Sequence, residues 1–307
     1  MFRLSVIVPL LGSVDRFEDT LASILRHRPT DAQVIVVHDG SYRDPYRLAS
    51  EVQFLETDPD SGLIGSLNVG LCYAGGEFTI IARPGVELDE DWDTEISHAM
   101  QDDKVAAVVP MIFSQQYPNR IVSAGVSADR SGTRRLVGQG KRYTHRSCRS
   151  LRPQGPTSWL AAYRTSIIKS IAPLDETLDD CFIDQDIALS LQSLRCKCVL
   201  SDQFRGTIDD ANAVFEEADV PHGSSAQRAS QRFGDVMNSG SASNALADLL
   251  RATVSPWRLK HLVQRFAAGR SVDVDLNYSN RLERLSTDRP WLAKQATEIE
   301  TSIRRAA

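Results

Sequence analysis

Short runs of β-branched residues alternate with apolar residues at helical spacing through the first third of the chain. That alternation restricts the architecture more than any other feature. Leu4-Ser5-Val6-Ile7-Val8 and Val34-Ile35-Val36-Val37 are almost wholly apolar, as strands buried on both faces must be. Phe17, Leu21, Ile24 and Leu25 recur between them on one helical face. Val52 to Leu55 predicts a weaker strand, Ile64 to Ala74 a helix, Phe78 to Ala82 a strand, Trp92 to Met100 a helix and Val105 to Val109 a strand. Repeated β-α-β units dictate a mostly parallel, doubly wound sheet. Such a sheet binds ligands beyond the carboxyl ends of its strands, where strand order reverses. Asp39 and the residues after Ala82 fall at such ends.

From Met111 to Pro156 the pattern changes to short apolar pieces punctuated by Gly125, Gly132, Gly138 and Gly140, with Arg134, Arg135, Lys141 and Arg142 among them. This reads as a loop-rich insertion with small antiparallel strands. Helical spacing resumes at Ile167, Ile168 and Ile171 and again at Ile187, Leu191 and Leu194, before a strand at Val199-Leu200. Residues 1–208 thus form one α/β domain. Residues 209–307 form a helical C-terminal extension, in which Leu259, Leu262, Val263 and Phe266 make an apolar stripe flanked by Arg258, Lys260, His261, Arg265 and Arg270. A helix of that kind packs on the domain or makes weak, salt-sensitive contact with an anionic membrane.

The 307 residues carry a formal net charge of −5, which argues against a broad nucleic-acid footprint but leaves room for a local basic patch. Five cysteines, an odd number at spacings that suit neither a disulfide framework nor a zinc knuckle, read as buried thiols in a reducing compartment. The apolar run from Leu4 to Leu11 contains Pro9 and lacks a cleavage site, so it reads as a strand and not a signal peptide. The expected location is cytoplasmic, with at most a weak association at the inner face of the membrane.

Three features carry candidate chemistry. Asp39, ahead of Gly40-Ser41, either receives hydrogen bonds from a base or ribose or forms an Asx turn closing its strand. The small-residue segment Asp60 to Gly70 lacks both the P-loop lysine and the three-glycine dinucleotide fingerprint. It lets a helix approach the sheet or a ligand closely. Asp184 and Asp186 open a helix, and residues two apart on a helix do not share a face. At most one is therefore expected to enter a cleft, where it could act as a general base, and the other to cap the helix or favour its positive end.

Together these segments resemble family 2 glycosyltransferases. Ser5-Val6-Ile7-Val8-Pro9 with Val36-Val37-His38-Asp39-Gly40-Ser41 is similar to the family's opening strands. Gly62, Asn68, Gly70 and Ala74-Gly75-Gly76-Glu77-Phe78 resemble its next signature, and Pro84, Val86-Glu87-Leu88 and Asp91-Trp92 the one after. Trp159 to Arg164, Leu174-Asp175-Glu176 and Phe182 to Ile187 resemble the acceptor-side block of the rhamnosyltransferase-like branch. The resemblance implies a GT-A (Rossmann-like) fold that uses a nucleotide-diphospho-sugar and a glycan or lipid-linked acceptor, with inversion. By it, Pro9, Asp39, Gly62 and Asn68 bind the donor, Trp159 and Asp186 face the acceptor, and Asp184 is the catalytic base.

The family holds Mn or Mg with an Asp-x-Asp motif after the fourth strand, but here Arg83 and Gly85 occupy the two ligand positions. His38, Leu67 and Ser190 also depart from the family pattern, and His222 is the only counterpart of its metal-associated histidine. Two readings stay open. Either Arg83 neutralises the diphosphate in place of a metal, or the chain binds nucleotide-sugars or scaffolds glycan assembly without turnover. A nucleotidyltransferase would share the sheet. The segment after the first strand, Pro9 to Asp15, has one glycine and no lysine, which disfavours that class.

Overall fold

A computed structural model describes residues 3–128, 134–209 and 233. The chain runs β1 (Leu4–Pro9), α1 (Val14–His27), β2 (Ala32–His38), β3 (Val52–Glu56), α2 (Gly62–Tyr73), β4 (Phe78–Ala82), β5 (Val86–Leu88), α3 (Trp92–Ala99) and β6 (Val105–Ser114). It continues through β7 (Ile121–Ser123), β8 (Val126–Ala128), β9 (Arg134–Leu136), α4 (His145–Cys148), β10 (Leu160–Arg164), α5 (Thr165–Ile171), α6 (Ile183–Ser193) and β11 (Lys197–Ile208).

The main sheet has the order β3-β2-β1-β4-β10-β6-β11-β5, with β7 on β6. Strands β3, β2, β1 and β4 are parallel, as are β6 and β11, while β10 lies antiparallel between β4 and β6. Strand order reverses at β1, which has β2 on one side and β4 on the other. Alternation along these strands builds two cores. Val6, Val8, Val34, Val36 and Ile80 pack on the side of Phe17 and Trp92, from α1 and α3. Ile7, Ile35, Val37 and Ile81 pack on the other side against Leu67, Ile168 and Ile187, from α2, α5 and α6. Each fully buried aliphatic side chain contributes about 1.5–3 kcal/mol.

The expected β-α-β framework is present, and β10 and β6 show where local pattern falls short of it. Strand β10 is a short antiparallel insertion that helical and strand spacing do not distinguish from its surroundings. Strand β6 runs past Pro110 to Ser114, where the sequence pattern stops at Val109. Proline cannot donate to a sheet ladder, and the neighbouring strand adapts. The β11–β6 register jumps from Leu200↔Val109 to Arg205↔Met111. The intervening residues of β11 fold onto the Ser201 hydroxyl, which accepts from the Gln203 and Phe204 amides at 3.1 Å each.

The insertion between β6 and β10 has the expected small antiparallel strands, with β7 on β6 and β8 on β9. The basic C-terminal stripe expected at 258–270 lies outside the described residues. Phe233, from the same extension, is 3% exposed within the core that contains α5 and α6. Among the described residues no helix is long and apolar enough to cross a membrane.

Candidate functional site

The carboxyl ends of β2, β1 and β4 form one rim at the point where strand order reverses. Pro9 pairs with Val37 across β1–β2, and Ile7 with Ile81 across β1–β4. Adjacent strands are about 4.8 Å apart, so the backbones at Asp39 and Arg83 stand roughly 10 Å apart across this rim. That span suits the two ends of a nucleoside diphosphate.

Asp39 is exposed at the end of β2. Its Oδ1 accepts the Ser41 amide at 2.9 Å in an Asx turn and also the Ser41 hydroxyl. The side-chain bond from Ser41, followed by the backbone bond, holds this carboxyl below its ordinary range. His38 is buried beneath it and its Nδ1 accepts the Gly40 amide at 3.0 Å. That bond leaves Nδ1 unprotonated, so the proton of the neutral ring sits on Nε2. The His38 ring meets Tyr42 and Phe54 edge-on, each at 6.2 Å.

Gly62 begins α2 at φ +59, a conformation that L side chains rarely adopt. The following amide, of Leu63, donates to Asp180 Oδ2 at 3.2 Å. Asn68 is turned toward the 174–176 segment. Its Oδ1 accepts the Leu174 amide at 2.6 Å, and its Nδ2 donates to the Leu174 carbonyl at 3.0 Å and to Glu176 Oε1 at 2.9 Å. This amide is a latch between α2 and the loop before α6.

Arg83 follows β4 and is half-buried. Its amide donates to the Trp159 carbonyl at 2.8 Å, and its Nη1 stands 3.4 Å from Ser158 Oγ, a long hydrogen bond. Gly85 points elsewhere, at φ +90, and its amide donates to Thr20 Oγ1 of α1 at 2.9 Å. It is a turn residue. Trp159 is 3% exposed at the start of β10.

Asp184 is fully buried. Arg134 grips it bidentately, Nε to Oδ1 at 2.8 Å and Nη2 to Oδ2 at 2.7 Å, and the Ser158 amide donates to Oδ2 at 3.3 Å. Asp186 is 1% exposed. Neither aspartate is the N-cap of α6, so of the two places expected for the second acid the cap is not the one occupied. The N-cap is Phe182 and makes no side-chain cap bond. Every residue from Ile183 to Leu191 is buried, and a helix enclosed on all sides can bury two acids that point apart. Both acids still lie in the first turn, where the helix dipole favours them.

Ser158 connects the two halves of the site, its hydroxyl toward Arg83 and its amide toward Asp184. The neighbouring Thr157 hydroxyl is buried without a hydrogen-bond partner among the described residues. The structure therefore links Arg83 to Trp159 and, through Ser158, to Asp184, while Asn68 bonds to the 174–176 segment and the Gly85 amide to α1. Sequence reasoning missed Arg134 and Ser158. Arg134 was visible only as one of several cations among glycines, and its contact spans fifty positions. Ser158 had only its place beside Trp159.

The two positions at which the resemblance implies a divalent cation do not fit one. Neither Arg83 nor Gly85 offers a carboxylate oxygen. Among the described residues no group of three His, Cys, Asp or Glu side chains could hold a metal ion. His222 lies outside the described residues.

The family model for glycosyl transferase family 2 matches residues 5–169, more than half of the chain, and the chain belongs to that family. Its fold is GT-A. A crystal structure described as GalNAc-T7 with UDP, GalNAc and Mn2+ superposes with a TM-score of 0.59 at 15% identity, over 87% of this chain and 55% of that one. The chain thus spans about half the length of that relative. The mannosyltransferase PcManGT from Pyrobaculum calidifontis, in complex with GDP-Man and Mn2+, superposes with a TM-score of 0.52 at 17% identity, over 98% of this chain and 86% of that one. No curated protein matches the chain.

Proposed function

We propose that this protein binds a nucleotide-diphospho-sugar across the rim formed by Pro9, Asp39 and Arg83, and transfers the sugar with inversion to a glycan or lipid-linked acceptor. The observation that carries the reading is the half-buried Arg83 guanidinium at the end of β4, tied through Ser158 to Asp184. A guanidinium matches diphosphate geometry and supplies positive charge where the leaving group departs. Gly62 lets α2 begin close to the nucleotide, Asn68 holds the 174–176 wall, and Trp159 and Asp186 belong to the acceptor side. In the transfer, an acceptor hydroxyl oxygen bonds to the anomeric carbon from the face opposite the diphosphate. Its proton passes to Asp184, and the anomeric C–O bond breaks with its electron pair going to the diphosphate.

Arg134 bears on a second reading, a catalytically silent nucleotide-sugar-binding or scaffolding protein. Three hydrogen bonds occupy Asp184, out of about four acceptor positions on a carboxylate. Its side chain is 0% exposed. Proton transfer requires Arg134 to withdraw, whereas donor binding does not. Incubation with radiolabelled UDP-, GDP- and dTDP-sugars separates the readings. The transferase reading expects sugar release or transfer that Asp184→Asn abolishes. Binding without any turnover would leave only the silent reading, and no binding to any donor would overturn both.

A further inference from the structure

The insertion between β6 and β10 is charged unlike the rest of the chain. Residues 134–152 contain seven Lys or Arg and no Asp or Glu, within a protein of net charge −5. The second half of this segment folds over β11 and leaves a cavity of about 440 Å³, a size typical of small-molecule sites. His145, Arg149 and Arg152 line it together with Leu151, Val199 and Leu200. The cavity exists because β11 departs from its ladder opposite Pro110, turning at Leu200–Arg205. That turn brings one acid, Asp202, to the wall.

Charge in this cavity is unbalanced. Asp202 Oδ2 already accepts the Tyr143 hydroxyl at 3.1 Å and lies 3.0 Å from His145 Nδ1. Among the described residues the Arg152 guanidinium bonds only to carbonyl oxygens, of Arg149 and Leu151. Arg149 has no ion-pair partner among the described residues. Carbonyl bonds fix the Arg152 fork without cancelling its charge. Two guanidinium groups stand beside half-exposed Val199 and Leu200 on one wall and buried Leu151 on another. Guanidinium groups select planar or tetrahedral oxyanions, and the aliphatic walls select an alkyl chain.

We propose that this cavity is a second ligand site, apart from the donor rim, which binds a phosphate ester carrying an apolar tail. The phosphate sits between Arg149 and Arg152 with His145 at the edge, and the tail lies along Leu151, Val199 and Leu200. The site stands whether or not the donor rim supports turnover.

Calorimetric titration with decyl phosphate below its micelle concentration tests the assignment, alongside inorganic phosphate and a neutral decyl glycoside. Decyl phosphate binds, and each of the other two binds at least tenfold more weakly, because each lacks one half of the recognition. The double variant Arg149→Gln/Arg152→Gln changes two exposed side chains, so it folds as the parent does by circular dichroism, and it loses at least tenfold in decyl phosphate affinity. Equal affinity for inorganic phosphate would reduce the site to a surface cation patch. Equal binding of the neutral glycoside would reduce it to an apolar groove. Unchanged binding in the double variant, or no binding at all, would overturn the assignment.

Discussion

Replacing Arg134 by Met isolates the strongest electrostatic element of the site. The Arg134 side chain is 7% exposed and that of Asp184 0%. The substitution keeps most of the aliphatic volume but leaves the carboxylate with the Ser158 amide at 3.3 Å as its one remaining bond of the three. Removing one partner of a buried ion pair costs about 3–5 kcal/mol, because the other charge is stranded without water. For a domain of this size each kcal/mol shifts the melting midpoint by about 2–4 °C, so Arg134→Met lowers it by roughly 6–20 °C. The cost belongs to the stranded charge and not to lost packing. Adding Asp184→Leu therefore recovers most of the loss, and the double-mutant cycle gives a coupling of about 2 kcal/mol or more. Urea denaturation followed by circular dichroism measures all four proteins. A loss below about 1 kcal/mol in the single variant, or a double variant less stable than the single one, would refute the reasoning.

Further outcomes follow from the same geometry. A Cβ at Gly76 would stand 2.6 Å from the Leu4 carbonyl carbon and 2.7 Å from the Ser5 nitrogen, whereas one at Gly75 meets only Gln33 Oε1 at 3.7 Å. Gly76→Ala thus destabilises by about 1–3 kcal/mol or more and Gly75→Ala by much less, as denaturation midpoints will report. Asn68→Ala removes three hydrogen bonds and costs about 1–3 kcal/mol in the same assay. It also raises proteolytic cleavage within 174–180, which unchanged digestion would contradict. Burial pushes the Cys181 and Cys198 thiols up to about 12, while Cys72, against the expectation of buried thiols, is exposed. At pH 8 a disulfide reagent labels Cys72 quickly and spares the other two, as peptide mapping will show. Because the raised thiols prefer their proton in the fold, that stabilisation is complete below the free-thiol range and is lost as pH rises through about 12.

The two-faced burial of β1, β2 and β4 was legible because a strand covered on both sides needs apolar residues at every position. Strand β10 was not. Five residues give too little pattern, and its antiparallel placement depends on the path of the whole insertion after β6, which no local spacing encodes. Arg83 stood out because it replaced a carboxylate at a defined offset from a strand end. Arg134 did not, because a cation in a glycine-punctuated loop has many destinations and sequence does not choose among them. The acidic pair that opens the helix carrying Asp184 suits either a cap or the helix's positive end, and it takes the second place. The helix's burial on all sides comes from tertiary packing, which the acidic pair alone does not report. Pro110 signalled a strand end by local rules, and only the compensating turn in β11 allows the strand to continue.

The proposed donor site puts the Arg83 guanidinium where the resemblance to the family implies a metal ion. Calorimetric titration of nucleotide-diphospho-sugars in excess EDTA, with the parent protein and Arg83→Gln, addresses this most directly. The predicted result is donor binding that EDTA leaves intact and that Arg83→Gln weakens by tenfold or more. Binding that appears only with added manganese, or that is indifferent to the loss of Arg83, would contradict it.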